Sequence, residues 1–177
     1  MNFEHGEIQG DMIEYDEGGN KIAVTVFRKG QPDGLLERFD PKGNLLMRVN
    51  YVAGKREGSA FEYYPNGKIY KEMQYVDNEK EGVENSYFPD GKLSSSTHYM
   101  SGKLHGLSCQ WNEKGVLTFE GEYIKGLRHG KFNKYYEDGK PHLLQVYTDD
   151  QLNGIKKAYD VKGSCQQTKW EKGKKVG

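Results

Sequence analysis

The sequence has few of the features that support a membrane span, a disulfide framework or a strongly charged surface. It has 177 residues with only two cysteines, and its mean hydropathy is −0.93. No apolar run approaches the length that a membrane-spanning helix needs, and no signal peptide is evident. The 26 basic residues balance 26 acidic ones, so no overall field favours nucleic acid or an anionic membrane.

The charges are nevertheless distributed unevenly along the chain. Residues 1–34 contain 3 basic and 7 acidic residues, whereas residues 125–177 contain 12 and 6. Two interpretations stay open. Charge can drift among solvated positions, or a basic end can take part in end-to-end association or bind an anionic ligand.

A repeat of 24 residues runs through the sequence and is marked by glycine. A period of this length indicates stacked supersecondary units that contact only their neighbours. One series has constant spacing: Gly10, Gly34, Gly58, Gly82, Gly106, Gly130 and Gly154. A second series follows nine residues later: Gly19, Gly43, Gly67, Gly91, Gly115, Gly139 and Gly163. Two aromatic series share the period: Tyr15, Phe39, Tyr63, Tyr87, Trp111, Tyr135 and Tyr159, and Phe27, Tyr51, Tyr75, Tyr99, Tyr123 and Tyr147.

We divide the chain into a partial repeat and seven full repeats. The partial repeat covers residues 1–9, because Phe3, Gly6 and Gly10 are in phase with Phe27, Gly30 and Gly34. The full repeats cover residues 10–33, 34–57, 58–81, 82–105, 106–129, 130–153 and 154–177. We interpret the sequence as a segment of a longer repeat protein.

Each repeat has the pattern of a β-hairpin. Tyr64-Pro65-Asn66-Gly67-Lys68 has the chemistry of a type I turn followed by a left-handed glycine. This turn predicts four aromatic–aliphatic pairs across the hairpins: Tyr63–Ile69, Phe39–Leu45, Tyr87–Leu93 and Trp111–Leu117. Leu45, Met47, Val49 and Tyr51 alternate with mostly polar residues, which predicts one apolar face. We expect both aromatic series on that face.

The predicted fold class is all-β, an elongated, twisted, single-layer antiparallel sheet of stacked hairpins. Consecutive hairpins would be joined by polar loops such as residues 53–58 and 124–130. Cys109 and Cys165 are two repeats apart, about 19 Å in such a sheet, which is beyond disulfide reach. We expect free thiols that act as small apolar fillers and mildly favour a reducing compartment.

The residues Phe119-Glu120-Gly121-Glu122-Tyr123, with Gly126-Leu127-Arg128-His129-Gly130, resemble the MORN repeat. The hairpins at residues 63–69 and 87–93 are closer to the bacterial variant of that repeat, which is marked by aromatic-x-x-Asn-Gly-Lys-Leu. The resemblance implies a rod of stacked hairpins. In bacteria it also implies an antitoxin of a toxin–antitoxin pair, or an immunity protein against a secreted toxic effector. Eukaryotic members are associated with membrane tethering, phosphoinositides and scaffolding.

No arrangement of residues indicates catalysis, a metal site or a bound cofactor. His105 and His129 share a repeat position and would lie about 10 Å apart, which is too far for one metal ion. We therefore expect structural roles in loops for these histidines, a non-enzyme, no catalytic residues, no metal ligands and no cofactor.

A protein-binding surface is the leading interpretation. Tyr64, Phe88 and Tyr136 follow the aromatic series by one residue and would lie on the opposite face as interface anchors. The alternative is that each stacks on the lysine across its own turn, namely Lys68, Lys92 or Lys140. The remaining candidate partner-binding residues are Tyr70, Glu72, His98 and His142, at positions that vary among repeats, and Trp111 of the first aromatic series.

Two other functions stay open besides the antitoxin or immunity role. A lipid-binding or scaffolding module would use the lysines of the last repeat: Lys156, Lys157, Lys169, Lys172, Lys174 and Lys175. A structural stalk would associate weakly end to end through open edge strands. We expect a protein partner such as a toxic effector enzyme and no nucleic acid. The expected location is the cytoplasm, with the bacterial periplasm or envelope as the alternative.

Overall fold

The computed structural model describes residues 2–4 and 6–176, with side chains from residue 6 onward. Met1 and His5 of the predicted partial repeat, and Gly177 of the last predicted repeat, lie outside the described residues. The chain forms two compact units, Met1–Gly91 (unit 1) and Lys92–Gly177 (unit 2). The described residues include no helix with the length and apolar character needed to cross a membrane.

In unit 1, strands that are neighbours in sequence pair antiparallel with one another. The strands are β1 (Asn2–Glu4), β2 (Glu7–Tyr15), β3 (Lys21–Arg28), β4 (Gln31–Phe39), β5 (Leu45–Val52), β6 (Lys55–Tyr63), β7 (Ile69–Val76) and β8 (Glu79–Tyr87).

Unit 2 continues the pattern with β9 (Leu93–Met100), β10 (Lys103–Trp111), β11 (Leu117–Ile124), β12 (Leu127–Tyr135), β13 (Pro141–Thr148), β14 (Gln151–Leu152), β15 (Gly154–Tyr159), β16 (Cys165–Glu171) and β17 (Lys174–Lys175). Successive strands again pair antiparallel, except that β14 and β15 both pair with β13. The predicted fold class, a single layer of antiparallel hairpins in sequence order, is confirmed.

The turns that contain the second glycine series have the predicted geometry, and we call them wide turns. In one of them, Tyr64 N donates to Lys68 O at 2.8 Å, and Gly67 N donates to Tyr64 O at 2.9 Å. Gly67 has a φ of 80°, which is the left-handed conformation that glycine adopts without steric cost. The predicted pairs Tyr63–Ile69, Phe39–Leu45 and Trp111–Leu117 are confirmed.

The connections between hairpins are shorter than expected. The chain reverses over Ala53 and Gly54 alone, at φ 47° and 79°, and Val52 pairs with Lys55. Left-handed conformation at both positions is that of a type I′ turn, whose twist matches the flanking strands. The predicted loop at residues 53–58 was wrong in length, because residues 55–58 belong to β6. We call these two-residue connections tight turns.

Within each unit, tight turns are hydrogen-bonded to the strand that begins one repeat earlier. Gly54 N donates to Pro32 O at 2.8 Å, and Gly126 N donates to Leu104 O at the same distance. Asn78 and Asp150 replace glycine in two tight turns. In these repeats the residue that accepts the hydrogen bond, at the position of Pro32, is an arginine. Arg56 N donates to Asn78 Oδ1 at 2.8 Å, and the Arg56 guanidinium stacks 4.3 Å from the centre of the Tyr75 ring. In the same way, Arg128 N donates to Asp150 Oδ1 at 3.0 Å, and the Arg128 guanidinium lies 4.1 Å from the centre of the Tyr147 ring.

The first glycine series permits a bulge next to each tight turn. Val49 pairs with Ala60 but Tyr51 pairs with Arg56, so the strand gains residues around Gly58, whose φ is 79°. At Gly34, a Cβ would also lie 2.9 Å from the Val26 Cβ. Glycine is therefore required there by both conformation and space.

One face of each sheet carries the core, and we call it the core face. In unit 1 it is a row of directly paired residues, Val49, Ala60 and Met73, which are 3%, 4% and 6% exposed. In unit 2 the corresponding row is Ser108, Gly121 and Phe132. The Phe132 ring contacts three other rings there, those of Phe119, Tyr123 and Tyr147.

The two aromatic series do not share a face, which corrects the prediction. Tyr75 lies in the core of unit 1, whereas Tyr63 follows Phe61 on the opposite side of β6, with ring centres 6.4 Å apart. The cause is the irregularity at the wide turn: Glu62 pairs with Lys71 but Tyr63 pairs with Ile69. Because β7 has one extra residue at this point, the paired residues Tyr63 and Ile69 project to opposite faces of the sheet.

Gly121 makes room for the Phe132 ring, so the two positions should be energetically coupled. A Cβ at Gly121 would lie 2.6 Å from the Phe132 ring and 2.8 Å from the Phe119 ring. We expect Gly121→Ala to lower the free energy of unfolding by about 1–3 kcal/mol because of overpacking, measured by urea denaturation. In a Phe132→Ala background the cost of Gly121→Ala should be smaller, because only the clash with the Phe119 ring remains. Equal costs in both backgrounds would contradict this packing.

Ala53 adopts a left-handed conformation that alanine disfavours. We expect Ala53→Asn to raise the free energy of unfolding by about 0.5–1 kcal/mol, because asparagine tolerates this conformation better. Ala53→Val should lower it, because a β-branched side chain is strained there. Thermal unfolding that ranks these variants in the opposite order would refute the type I′ assignment.

Candidate protein interface

The face opposite the core face is called the open face. In unit 1 it carries a row of paired residues, Glu37, Arg48, Phe61 and Glu72. In unit 2 the row is Cys109, Glu120, Asn133 and Leu144. Paired residues project to the same side of a sheet, so each row is a continuous surface.

A carboxylate network occurs twice on the open faces, separated by 48 positions. In unit 1, Glu72 Oε1 accepts hydrogen bonds from Asn85 Nδ2 at 3.1 Å and from the Tyr87 hydroxyl. In unit 2, Glu120 Oε1 accepts from Asn133 Nδ2 at 2.8 Å and from the Tyr135 hydroxyl at 2.7 Å. These bonds favour the ionised carboxyl and hold the pKa of Glu120 below its ordinary value.

The corresponding positions one repeat after the first network are Ser96, Cys109 and Trp111. Burial, together with the Glu120 carboxylate, raises the pKa of the Cys109 thiol. Both cysteines are free, as predicted, and Cys109 is a buried filler. Cys165 is exposed, so its predicted role as an apolar filler was wrong. It lies on β16, where most residues are exposed.

Tyr64 and Tyr136 lie at the wide-turn ends of the open faces. Each hydroxyl donates to a backbone carbonyl one repeat onward, Tyr64 to Tyr87 O at 2.7 Å and Tyr136 to Tyr159 O at 2.6 Å. The Tyr64 ring meets the Tyr70 ring edge-on at 5.1 Å. Part of each of the two tyrosines therefore contacts the protein's own backbone.

The alternative of tyrosine–lysine stacking was wrong for these two tyrosines. Lys68 Nζ instead donates to Asp90 O at 3.1 Å, and Lys140 Nζ pairs with Asp138 at 2.8 Å. The ring stacked on Tyr136 is that of His142, with centres 4.5 Å apart and planes at 24°.

In several other repeats the position of Tyr64 is occupied by Asp or Asn, whose side chain bonds to its own turn. Asp40 Oδ1 accepts from Lys42 N and Asn44 N at 2.9 and 2.8 Å, and Asn112 Oδ1 makes similar bonds within its own wide turn. A short acceptor satisfies its own turn, whereas an aromatic side chain is free to extend over the open face. The three aromatic residues at this position are therefore not demanded by turn geometry.

The eight predicted partner-binding residues divide between the two units. Tyr64, Tyr70, Glu72 and Phe88 belong to unit 1, and His98, Trp111, Tyr136 and His142 belong to unit 2. The structure brings Tyr64 together with Tyr70, and Tyr136 together with His142. Phe88 and Trp111 are half-buried, and His98 is exposed beside Gly106. Their role in binding stays a prediction.

Sequence reasoning missed a groove on the open face of unit 2. It has a volume of about 230 Å³ and involves residues of β12, β13 and β15: Lys131, Asn133, Leu144, Val146, Ile155 and Lys157. A signal was present in the sequence, because Val146 and Ile155 occupy repeat positions that hold polar residues in some other repeats, as at Gln74 and Ser59.

The prediction that His105 and His129 lie in loops was wrong, because they lie in β10 and β12 and contact neighbouring tight turns. His105 Nδ1 accepts from Lys125 N at 3.4 Å, and His129 Nδ1 lies 3.4 Å from Asp149 Oδ1. Within residues 2–4 and 6–176, no three His, Cys, Asp or Glu side chains come together as a metal site.

The Glu120 network should make stability depend on pH. The folded pKa of Glu120 lies below its unfolded value, so the stabilisation is present above the unfolded pKa, about 4.3, and is lost as the pH falls through the folded pKa. At neutral pH we expect the native protein to have a higher free energy of unfolding than Glu120→Gln. This difference should become smaller as the pH falls. Tyr135→Phe removes the principal donor and should weaken this pH dependence. A difference that stays constant across the acid range would contradict the network.

Comparison with known structures gives only weak likenesses. TarM from S. aureus, in complex with fondaparinux, α-GlcNAc-glycerol and UDP, is 12% identical over 60% of this chain, with a TM-score of 0.38. A second TarM structure is 14% identical over 56% of this chain, with a TM-score of 0.37. A GtfA/B complex bound to UDP and GlcNAc is 10% identical over 64% of this chain, with a TM-score of 0.29. The chain spans about a fifth of the length of these structures. No curated protein matches the chain.

The family comparison agrees with the hairpin repeat. The MORN repeat variant matches residues 32–53, 56–77, 80–100 and 128–149. Each match covers most of one 24-residue period and contains a wide turn. This family is a non-enzymatic repeat module, and its pattern coincides with the turns and strands described above. The chain belongs to the MORN repeat variant family.

Proposed function

We propose that this chain is a non-catalytic protein-binding module that acts as a bacterial antitoxin or immunity protein. It would neutralise a toxic effector enzyme by direct contact through its open faces. The observation that carries the proposal is the contrast between a constant backbone frame and a changing open face. Positions in phase on the open faces of the two units hold Glu37, Phe61, Asn85, Cys109 and Asn133.

Variation of this kind suits recognition of one particular protein. The turns and bulges recur in repeat after repeat, so they supply a preorganised frame that loses little conformational entropy on binding. Side chains on the open face differ among repeats and can be matched to a partner without changing the fold. The open faces also argue against catalysis, because their carboxylates at Glu72 and Glu120 are committed to hydrogen bonds that hold neighbouring strands together.

Aromatic side chains at the wide turns are suitable anchors for the partner. Tyr64 packs on Tyr70 and Tyr136 on His142, so in each unit two rings are held in a defined arrangement. Preordered aromatic side chains are typical of the few residues that dominate binding energy at interfaces. Phe88 is the third aromatic residue at this repeat position and we assign it the same role.

The proposal is tested by isolating the effector and measuring its inhibition. The native protein is purified under mild conditions, and co-eluting proteins are identified by mass spectrometry. We expect a stoichiometric enzyme whose activity is lost when this protein is added at a one-to-one ratio. Absence of a stoichiometric protein, or an enzyme that keeps full activity in the complex, would refute the antitoxin role.

Variants of Tyr136 separate binding from folding. Tyr136→Ala with His142→Ala should weaken the complex by about thirtyfold, which corresponds to an interface anchor worth about 2 kcal/mol. Tyr136→Phe keeps the ring and loses only the bond to Tyr159 O, so it should retain binding. The exposed wide-turn change Asp138→Ala serves as the matched control. Circular dichroism melting verifies that each variant is folded.

A lipid-binding function is the second candidate, because unit 2 contains 15 basic and 9 acidic residues. It predicts flotation with phosphatidylserine vesicles at low salt and release at high salt. Protein that stays unbound at low salt would eliminate this candidate.

A further inference from the structure

The groove on the open face of unit 2 is built from directly paired residues. Lys131 pairs with Val146, Asn133 pairs with Leu144, and Leu144 also pairs with Lys157 on the next long strand. Ile155 precedes Lys157 by two positions on β15 and so projects to the same side. Six side chains from three strands therefore share one surface.

The floor of the groove is aliphatic and exposed. Val146 and Ile155 are 37% and 51% exposed, and Leu144, two positions before Val146 on β13, is half-buried. The fold does not require aliphatic residues there. The positions in phase hold Glu72, Gln74 and Ser59 in the middle of unit 1, whereas β3 and β4 of unit 1 have Val24, Val26 and Leu35 there, so the fold accepts both polar and aliphatic residues at these positions. Exposed aliphatic surface that the fold does not need is typical of a contact surface.

Lysines flank this floor. Lys131 lies on β12 and Lys157 on β15, on opposite sides of Leu144. Neither lysine forms an ion pair within the part of the chain that the structure describes. On the adjoining strand, Glu120 is bonded to Tyr135 and Asn133, and the charge of Lys131 also contributes to the lowered pKa of Glu120. Two ammonium groups without an ion pair among the described residues thus lie beside an apolar strip in a unit that is itself basic.

We propose that this groove is the docking site for an acidic, aliphatic segment of the partner protein, in which Asp or Glu side chains alternate with Val, Leu or Ile. The aliphatic side chains would cover Leu144, Val146 and Ile155, and the carboxylates would pair with Lys131 and Lys157. A protein segment fits better than a lipid surface, because the groove is concave and its size suits one or two side chains. The inference deepens the proposed function, since it assigns the chemistry of the partner surface.

The test uses the full chain and short fluorescein-labelled peptides. In one peptide glutamate alternates with valine, and in two controls lysine or serine replaces the glutamate. Fluorescence anisotropy should show binding of the acidic peptide, weakened by salt, and at least about tenfold weaker binding of both controls. Equal binding of the three peptides would overturn the proposal.

Variants then locate the site. Lys131→Glu with Lys157→Glu should weaken acidic-peptide binding by at least about tenfold. The matched pair Lys114→Glu with Lys162→Glu makes the same charge change at exposed wide turns of unit 2 and should bind normally. Equal losses in both pairs would show a general charge effect and would overturn the groove assignment. Val146→Ser with Ile155→Ser keeps the charge and should also weaken binding.

Other occupants give different results. Binding of phosphatidylserine vesicles without binding of the acidic peptide, abolished by the Lys131 and Lys157 pair of changes, would assign the groove to lipid. Self-association in sedimentation velocity that the same pair abolishes would assign it to a second copy. Either result overturns the proposal.

The two proposals can fail separately. If the Lys131→Glu, Lys157→Glu protein still inhibits the isolated effector at the native stoichiometry, the groove inference fails and the antitoxin function stands. If no effector exists but the acidic peptide binds through the groove, the antitoxin function fails and the groove stands.

Discussion

Backbone conformation at the turns is the constraint on which the rest of this structure depends. A single-layer sheet has no second layer to specify how its strands align, so the register must come from the connections. The left-handed residues do this in both kinds of turn, as at Gly67 in a wide turn and at Ala53 and Gly54 in a tight turn. Because Gly54 N also donates to Pro32 O, the alignment set in one repeat is passed to the next.

This arrangement separates stability from recognition. The core faces bury small clusters such as Val49, Ala60 and Met73, and the backbone ladder continues regardless of which side chains lie opposite them. On the open face a residue can then be exchanged with little consequence for the fold. Glu72 and Leu144 occupy the same position in different repeats, one in a hydrogen-bonded network and the other in a groove. A repeated frame thereby carries a surface that does not repeat.

Most of the fold could be predicted from the sequence, and the errors in strand faces and connection lengths arose at the turns. Wide turns and aromatic–aliphatic pairs such as Tyr63–Ile69 follow from local dihedral preferences. The face on which Tyr63 lies could not be predicted, because one extra residue at the turn shifts the alternation and moves the Tyr63 side chain to the opposite face of the sheet. The length of the connection at Ala53 was missed for a similar reason, since a left-handed alanine has no strong sequence signal.

The sequence by itself determined the 24-residue period, the antiparallel hairpins and the membership in the MORN repeat variant family. These depend on local chemistry, chiefly glycine and proline at fixed positions, which acts within a few residues along the chain. Only the tertiary structure decided that Tyr136 stacks on His142 and that Lys131 and Lys157 flank Leu144 and Val146. Such contacts join residues on different strands, and their geometry depends on the bulges and twist that accumulate between them.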